Sequence, residues 1–182
     1  MSGEVKNVFV TGRPGVGKTT IIRRVLDTLD VDAGGFYTAE IRDGGRAGSP
    51  RVGFSIVGLN GDEGVLAHVD LDSPYRVARY GVNRDDLERV GVGAIEEAVE
   101  RSSLIVMDEI GRMELCSPPF QRAVLRALDS DVPVFGTLQE RPSEFVDAVR
   151  ARDDVEVHEV DTGNRASLVP VLRDRLVDLL EG

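Results

Sequence analysis

The chain has 182 residues, 41% of them hydrophobic and 30% charged, with a formal net charge of −10. That length buries a core in one domain without metal or disulfide staples, and the composition excludes a disordered chain. A pI near 4.7 argues against nonspecific attraction to nucleic acid or an anionic membrane, and no apolar run reaches the roughly 18 residues of a membrane span. In chain order, Val8–Thr11 reads as a short buried strand and Gly17–Leu29 as a helix with apolar residues at Ile21, Ile22, Val25, Leu26 and Leu29. Phe36–Arg42, Arg51–Leu59 and Gly64–Val69 read as short strands separated by the turns DGGRAGSP and NGDEG, a small antiparallel β meander inserted after the first helix. Helical pattern returns over Asn83–Arg101, interrupted near Gly91–Gly93, and Leu104–Met107 is a buried strand.

Ser117 and Pro118 start a helix that runs through Phe120 to Leu128. A strand over Val132–Phe135, a helix over Pro142–Ala151, a strand over Val155–Val160 and a helix over Arg165–Leu180 complete the chain. Strands alternating with helices predict an α/β three-layer sandwich, a mostly parallel central sheet with helices on both faces. Such sheets hold ligands beyond the carboxyl ends of their strands. The start, MSGEVKNVFV, lacks the features of a signal peptide, and the single Cys116 cannot form an internal disulfide, so the expected setting is the cytoplasm.

Residues 12–19, GRPGVGKT, match the P-loop pattern G-x-x-x-x-G-K-[ST] between a predicted strand and a predicted helix, the context the motif requires. The loop Gly12, Arg13, Pro14, Gly15, Val16, Gly17, Lys18 and Thr19, with Thr20 beside it, is the expected nucleotide site. Its glycines let successive N–H groups turn toward triphosphate oxygens, and the helix N-terminus adds partial positive charge. Lys18 reaches the β- and γ-phosphates, and the Thr19 hydroxyl is a ligand for Mg²⁺. Lysine occurs only at positions 6 and 18, the other 20 basic residues being arginine. Adaptation to high salt and a GC-rich genome both account for that bias. In either case a lysine kept at position 18 points to a role arginine does not fill.

VMDEIGRMEL, residues 106–115, carries the second set of candidates. Asp108 follows the apolar run Leu104–Met107, where an acid stands to hold Mg²⁺. Glu109 beside it can orient and deprotonate a water for attack on the γ-phosphorus. Enzymes that transfer the phosphoryl group to another molecule gain instead by excluding water, so the pair favours hydrolysis over a nucleoside, nucleotide or polynucleotide kinase. Arg112 is either a stabiliser of transition-state charge or a solvated arginine, and Glu114 is open between a site role and a structural one. Thr137 senses the γ-phosphate or water, or is an ordinary turn residue. Thr38, Glu40 and Arg42 share one strand face and with Arg51 form either a polar wall over the site or the solvent face of the meander. Cys116 reads as a small buried residue, and His68 and His158 have no metal-ligand spacing.

Taken together, GRPGVGKTT, GFYTAEIRDGGRAGSPRVGFSIV, LIVMDEIGRMEL, PVFGTL and TGNR resemble the small nucleoside-triphosphatases first known from thermophiles. Vertebrate members of that family are called cancer-related nucleoside-triphosphatases. The likeness spans nearly the whole chain. It implies a compact P-loop fold similar to nucleotide kinases and slow, Mg²⁺-dependent hydrolysis of ATP, GTP and other NTPs to NDP and phosphate. In that pattern Gly12–Thr19 is the phosphate loop, and the run around Asp108 and Glu109 is the second nucleotide motif. Asn164 and Arg165 fall where P-loop proteins often contact the base. No N-K-x-D motif is present to read a guanine. A switch ATPase with a partner is a third class, but no partner-binding tail supports it, and a monomer is the expectation.

Overall fold

The segment NVFVTG is buried at all six positions, as a strand covered on both faces must be. It forms β1 (Asn7–Gly12) in a computed structural model that describes residues 3–182. After it come α1 (Lys18–Asp27), β2 (Ala33–Arg42), β3 (Arg51–Gly58), β4 (Glu63–His68), β5 (Arg76–Val77) and β6 (Tyr80–Val82). The second half holds α2 (Arg84–Asp86), α3 (Gly93–Arg101), β7 (Leu104–Ile110), α4 (Pro118–Asp129), β8 (Val134–Gln139), α5 (Glu144–Arg150), β9 (Val155–Glu159) and α6 (Arg165–Glu181).

The nine strands form one sheet in the order β5-β6-β4-β3-β2-β7-β8-β1-β9. Pairing is parallel from β2 through β7, β8 and β1 to β9, and antiparallel from β2 outward through β3 and β4 to β6 and β5. The strand β8 therefore lies between β1, which leads into the glycine loop, and β7, which carries the acids. Alternation along β1 divides the core. Val8 and Val10 join Ile21, Ile22 and Val25 of α1 and Leu172 and Leu176 of α6. Phe9 joins the opposite cluster, with Phe36, Ile95 of α3, and Phe120 and Leu128 of α4. Each fully buried aliphatic or aromatic side chain contributes about 1.5–3 kcal/mol relative to exposure. Helices thus cover both faces of the sheet, in the three-layer α/β arrangement. None of the described helices is long and apolar enough to cross a membrane.

Several boundaries move, for local reasons. The helix α4 begins at Pro118, where a missing N–H costs nothing, and Ser117 Oγ accepts the Phe120 N–H at 3.2 Å. The strand expected over Val132–Phe135 is observed as Val134–Gln139. Pro133 has no N–H to give a central ladder, and the strand continues through Gly136 and Thr137 because both edges are paired. Likewise β7 runs past Met107 and includes Asp108 and Glu109. The interruption expected near Gly91 is a π-helical stretch over Leu87–Val92 joining α2 to α3. The antiparallel strands expected after α1 are present and extend the same sheet; β5 and β6 are too short to show a period in sequence.

Gly35 sits in β2 opposite Val106 of β7 with φ of +106°, and a Cβ there would overlap the Val106 carbonyl oxygen. Gly35→Ala is expected to lower stability in urea denaturation by about 2 kcal/mol or more, since backbone strain and overlap act together.

Candidate active site

The glycine loop joins β1 to α1 and is closed by a Val16 N–H bond to the Arg13 carbonyl at 3.2 Å. Gly15 and Gly17 adopt φ of +78° and +112°, which side-chain-bearing residues resist. Gly17 caps α1 without a side-chain bond, and no acid stands in the first helical turn. The first N–H groups of α1 therefore have no side-chain acceptor, the condition under which a helix start attracts an anion.

Consecutive residues of α1 meet consecutive acids of β7. Lys18 Nζ lies 3.0 Å from Glu109 Oε2 and donates to the Gly12 carbonyl at 2.9 Å. Thr19 Oγ1 donates to Asp108 Oδ1 at 3.3 Å, and Thr137 Oγ1 of β8 donates to the same oxygen at 2.8 Å. The register of β7 against β8 shifts between Met107 and Ile110, and the Asp108–Glu109 peptide is cis. The register shift re-aims side chains that strict alternation would send to opposite faces. Asp108 is 3% exposed. Burial pushes its carboxyl up from the ordinary value, and the two hydroxyls oppose that shift by bonding to the charged form. Its oxygen-only surroundings fit a hard divalent cation. Among the described residues no three His, Cys, Asp or Glu converge as a metal cage. Asp108 and Thr19 can thus hold a cation only with water or phosphate completing its shell.

Glu114 follows in a single turn of 3-10 helix, Glu114–Cys116. Only Asp108 and Glu114 are buried among the acids of the described residues. Its Oε2 accepts the Gly111 N–H at 3.1 Å. Burial, then the neighbouring Glu109 carboxylate, raises Glu114 from 4.5 to about 8.

A cavity of about 700 Å³ opens over Gly12, Pro14 and Lys18 and is lined by Glu109, Arg112 and Glu114. Its far wall is Thr38, Phe54, Leu66, Val77 and Met113, and Gln139–Pro142 close one side. A second depression of about 590 Å³ lies across the loop and includes Arg13, Val16, Arg150 and Asp161. Of the polar strand face, Thr38 alone reaches the first cavity. Glu40 is held outside it by Arg42 at 2.5 Å and Arg51 at 3.1 Å, and Arg51 donates to the Tyr80 hydroxyl. Arg165 approaches the loop, donating to the Val16 carbonyl at 3.4 Å, whereas the Asn164 side chain is engaged with Asp161 N–H and the Glu159 carbonyl. Thr20 is exposed on α1, and Cys116 is half-buried rather than buried. Sequence reasoning missed Gln139–Pro142, although their place after a parallel strand is where such sheets hold ligands.

A family model described as NTPase matches residues 7–172. The chain is 48% identical to nucleoside-triphosphatase THEP1 of Thermotoga petrophila over 162 residues, covering 89% of this chain and 88% of the relative. It is 36% identical to the mouse cancer-related nucleoside-triphosphatase homolog, covering 91% and 93%. The crystal structure of THEP1 from Aquifex aeolicus superposes with a TM-score of 0.84 at 29% identity, covering 93% of this chain and 98% of that one. The solution structure of a human cancer-related nucleoside triphosphatase gives 0.79 at 36% identity, covering 94% and 97%.

Thr137→Val keeps the shape of the side chain and removes its bond to Asp108. Urea denaturation at neutral pH should show a loss of about 1.5–3 kcal/mol, the range for a hydrogen bond to a charged group. Glu114 has a folded-state value of about 8, above its ordinary 4.5, so the folded chain keeps a proton that the unfolded chain releases. Its stabilising contribution is complete below pH 4.5 and is lost as pH rises toward about 8. The melting temperature of Glu114→Gln relative to wild type should therefore climb across that window and level off above it.

Proposed function

The chain belongs to the nucleoside-triphosphatase family, and we propose that it hydrolyses ATP, GTP and other NTPs to NDP and phosphate in a Mg²⁺-dependent reaction. The observation that carries this reading is the pairwise meeting of Lys18 with Glu109 and of Thr19 with Asp108. One loop helix and one strand then supply a phosphate-binding cation, a hydroxyl, a cation-holding acid and a base.

The backbone N–H groups of Gly12–Thr19 and the uncapped start of α1 bind the triphosphate oxygens, with Arg13, Pro14, Val16 and Thr20 flanking them. Asp108 and Thr19 would hold Mg²⁺, which when bound neutralises charge on the β- and γ-phosphate oxygens. Lys18 leaves Glu109 for those oxygens, because a triphosphate offers more negative charge than one carboxylate. Glu109, about one-third exposed on the cavity side, is then free to act on water. The water oxygen bonds to the γ-phosphorus as Glu109 takes its proton. The bond from γ-phosphorus to the bridging oxygen breaks, and the electron pair leaves with NDP. Arg165 beside the loop offers a planar guanidinium to a base without reading its edge, which suits broad base acceptance.

Transfer to an organic acceptor is a second reading, favoured by one feature: the far wall of the cavity is apolar at Phe54, Leu66 and Val77, more than a water needs. With γ-labelled ATP, hydrolysis predicts label in inorganic phosphate, and transfer predicts label on an added nucleoside first. Glu109→Gln is expected to bind MgATP as wild type does while phosphate release falls by about 10²–10⁴-fold, the contribution of one positioned base. Unchanged release in that variant would remove Glu109 from the step.

A further inference from the structure

Glu114 is a buried acid that the hydrolytic step above leaves unused. Its backbone turn follows β7 directly, and it lines the same cavity as Lys18 and Glu109. Gly111 separates the two glutamates. Glu109 Oε1 lies 2.9 Å and Glu114 Oε2 3.1 Å from the point where a Cβ on residue 111 would stand. Both oxygens thus flank one backbone position that carries only hydrogen. The other oxygen of Glu109 is the one paired with Lys18.

We propose that Glu114 is a positioning residue, whose carboxyl hydrogen holds Glu109 Oε1 across Gly111 once Lys18 turns to the triphosphate, leaving Oε2 to face the attacking water. The inference rests on the reading of Glu109 as the base. An ionised carboxylate only accepts hydrogen bonds, whereas a neutral carboxyl also donates one. Glu114 is placed to be neutral: it is 5% exposed, and the charged neighbours that act on it, Glu109 and Asp108, are both acids. Two carboxyl groups crowded in one site keep a proton between them. Without such a partner, Glu109 would be left with no ion pair among the described residues when Lys18 moves, and would swing in a wide cavity. The other titratable or charged groups at this corner are the Cys116 thiol on the same turn, Arg84, which acts on that thiol, and Arg112, Lys18, Glu140 and Arg141 along the cavity.

The test uses Glu114→Leu and Glu114→Gln, each alone and combined with Glu109→Gln, with MgATP and phosphate release as the readout. Leucine fills the buried site and cannot donate. Its kcat is expected to fall about 10- to 100-fold, the effect of a misplaced reacting group, with KM unchanged. Glutamine reproduces both the acceptor for Gly111 and the donor for Glu109 and is expected to restore most of the lost kcat. Wild-type kcat should decline as pH passes about 8 and Glu114 ionises, and Glu114→Gln should lack that decline. In the Glu109→Gln background, Glu114→Leu should have no further effect. Wild-type kcat in Glu114→Leu, or an equal further loss on top of Glu109→Gln, would overturn the proposal. If Glu114→Leu does not fold, the alkaline decline decides: its persistence in Glu114→Gln overturns the proposal. Wild-type turnover in Glu109→Gln alone would instead sink the assignment of the base, independently of any Glu114 variant.

Discussion

Asp108 is a carboxylate taken almost wholly out of water at the end of a central strand, and its surroundings answer to that burial. A buried charge needs donors or a counter-ion. Two hydroxyls converge on one of its oxygens, from Thr19 on α1 and Thr137 on β8. Those bonds require α1 to start at this end of the sheet and β8 to lie between β1 and β7, as the strand order has it. The glycine loop is then the only short route from β1 to α1. The glycine loop and the acids of β7 are held together by the topology and not by a single contact.

The electrostatics of the site are set against those of the chain. A protein of net charge −10 must still attract a polyanion to one place. Local positive potential comes from Lys18 and the uncapped start of α1, while Arg112 and Arg141 line the cavity. Lys18 is paired with Glu109 at 3.0 Å. This pair keeps a buried ammonium satisfied and gives the part-exposed Glu109 carboxylate a partner. In the mechanism proposed above, one displacement, Lys18 from carboxylate to phosphate, would both bind the substrate and release Glu109 to act on water. Few lysines elsewhere make the retained one easier to understand: a compact point charge on a flexible stem can exchange partners more readily than a planar guanidinium.

Features whose cause is local could be read from sequence. The glycine loop needs particular residues at fixed spacing, and Asp108 and Glu109 end an apolar run. Features that depend on distant partners could not. The Thr137 hydroxyl finds Asp108 only through the pairing of β7 with β8, so its place in sequence leaves it open between a phosphate or water sensor and a turn residue. Glu114 stands between Met113 and Leu115, a setting that leaves it open between a site role and a structural one; its burial follows from how the turn folds back over Gly111. Glu40 and Arg42 share a strand face with Thr38 but are drawn, with Arg51 of the neighbouring β3, into their own ion-pair network away from the cavity. The meander could be read as three strands, while its fusion to the central sheet rests on the β2–β7 pairing.

In the proposed mechanism Lys18 exchanges Glu109 for the triphosphate. A structure of the protein with Mg²⁺ and a non-hydrolysable ATP analogue measures it directly. Lys18 Nζ is expected to move from its 3.0 Å contact with Glu109 Oε2 onto β- and γ-phosphate oxygens, with a water between Glu109 and the γ-phosphorus. A bound triphosphate beside an intact Lys18–Glu109 pair would contradict it.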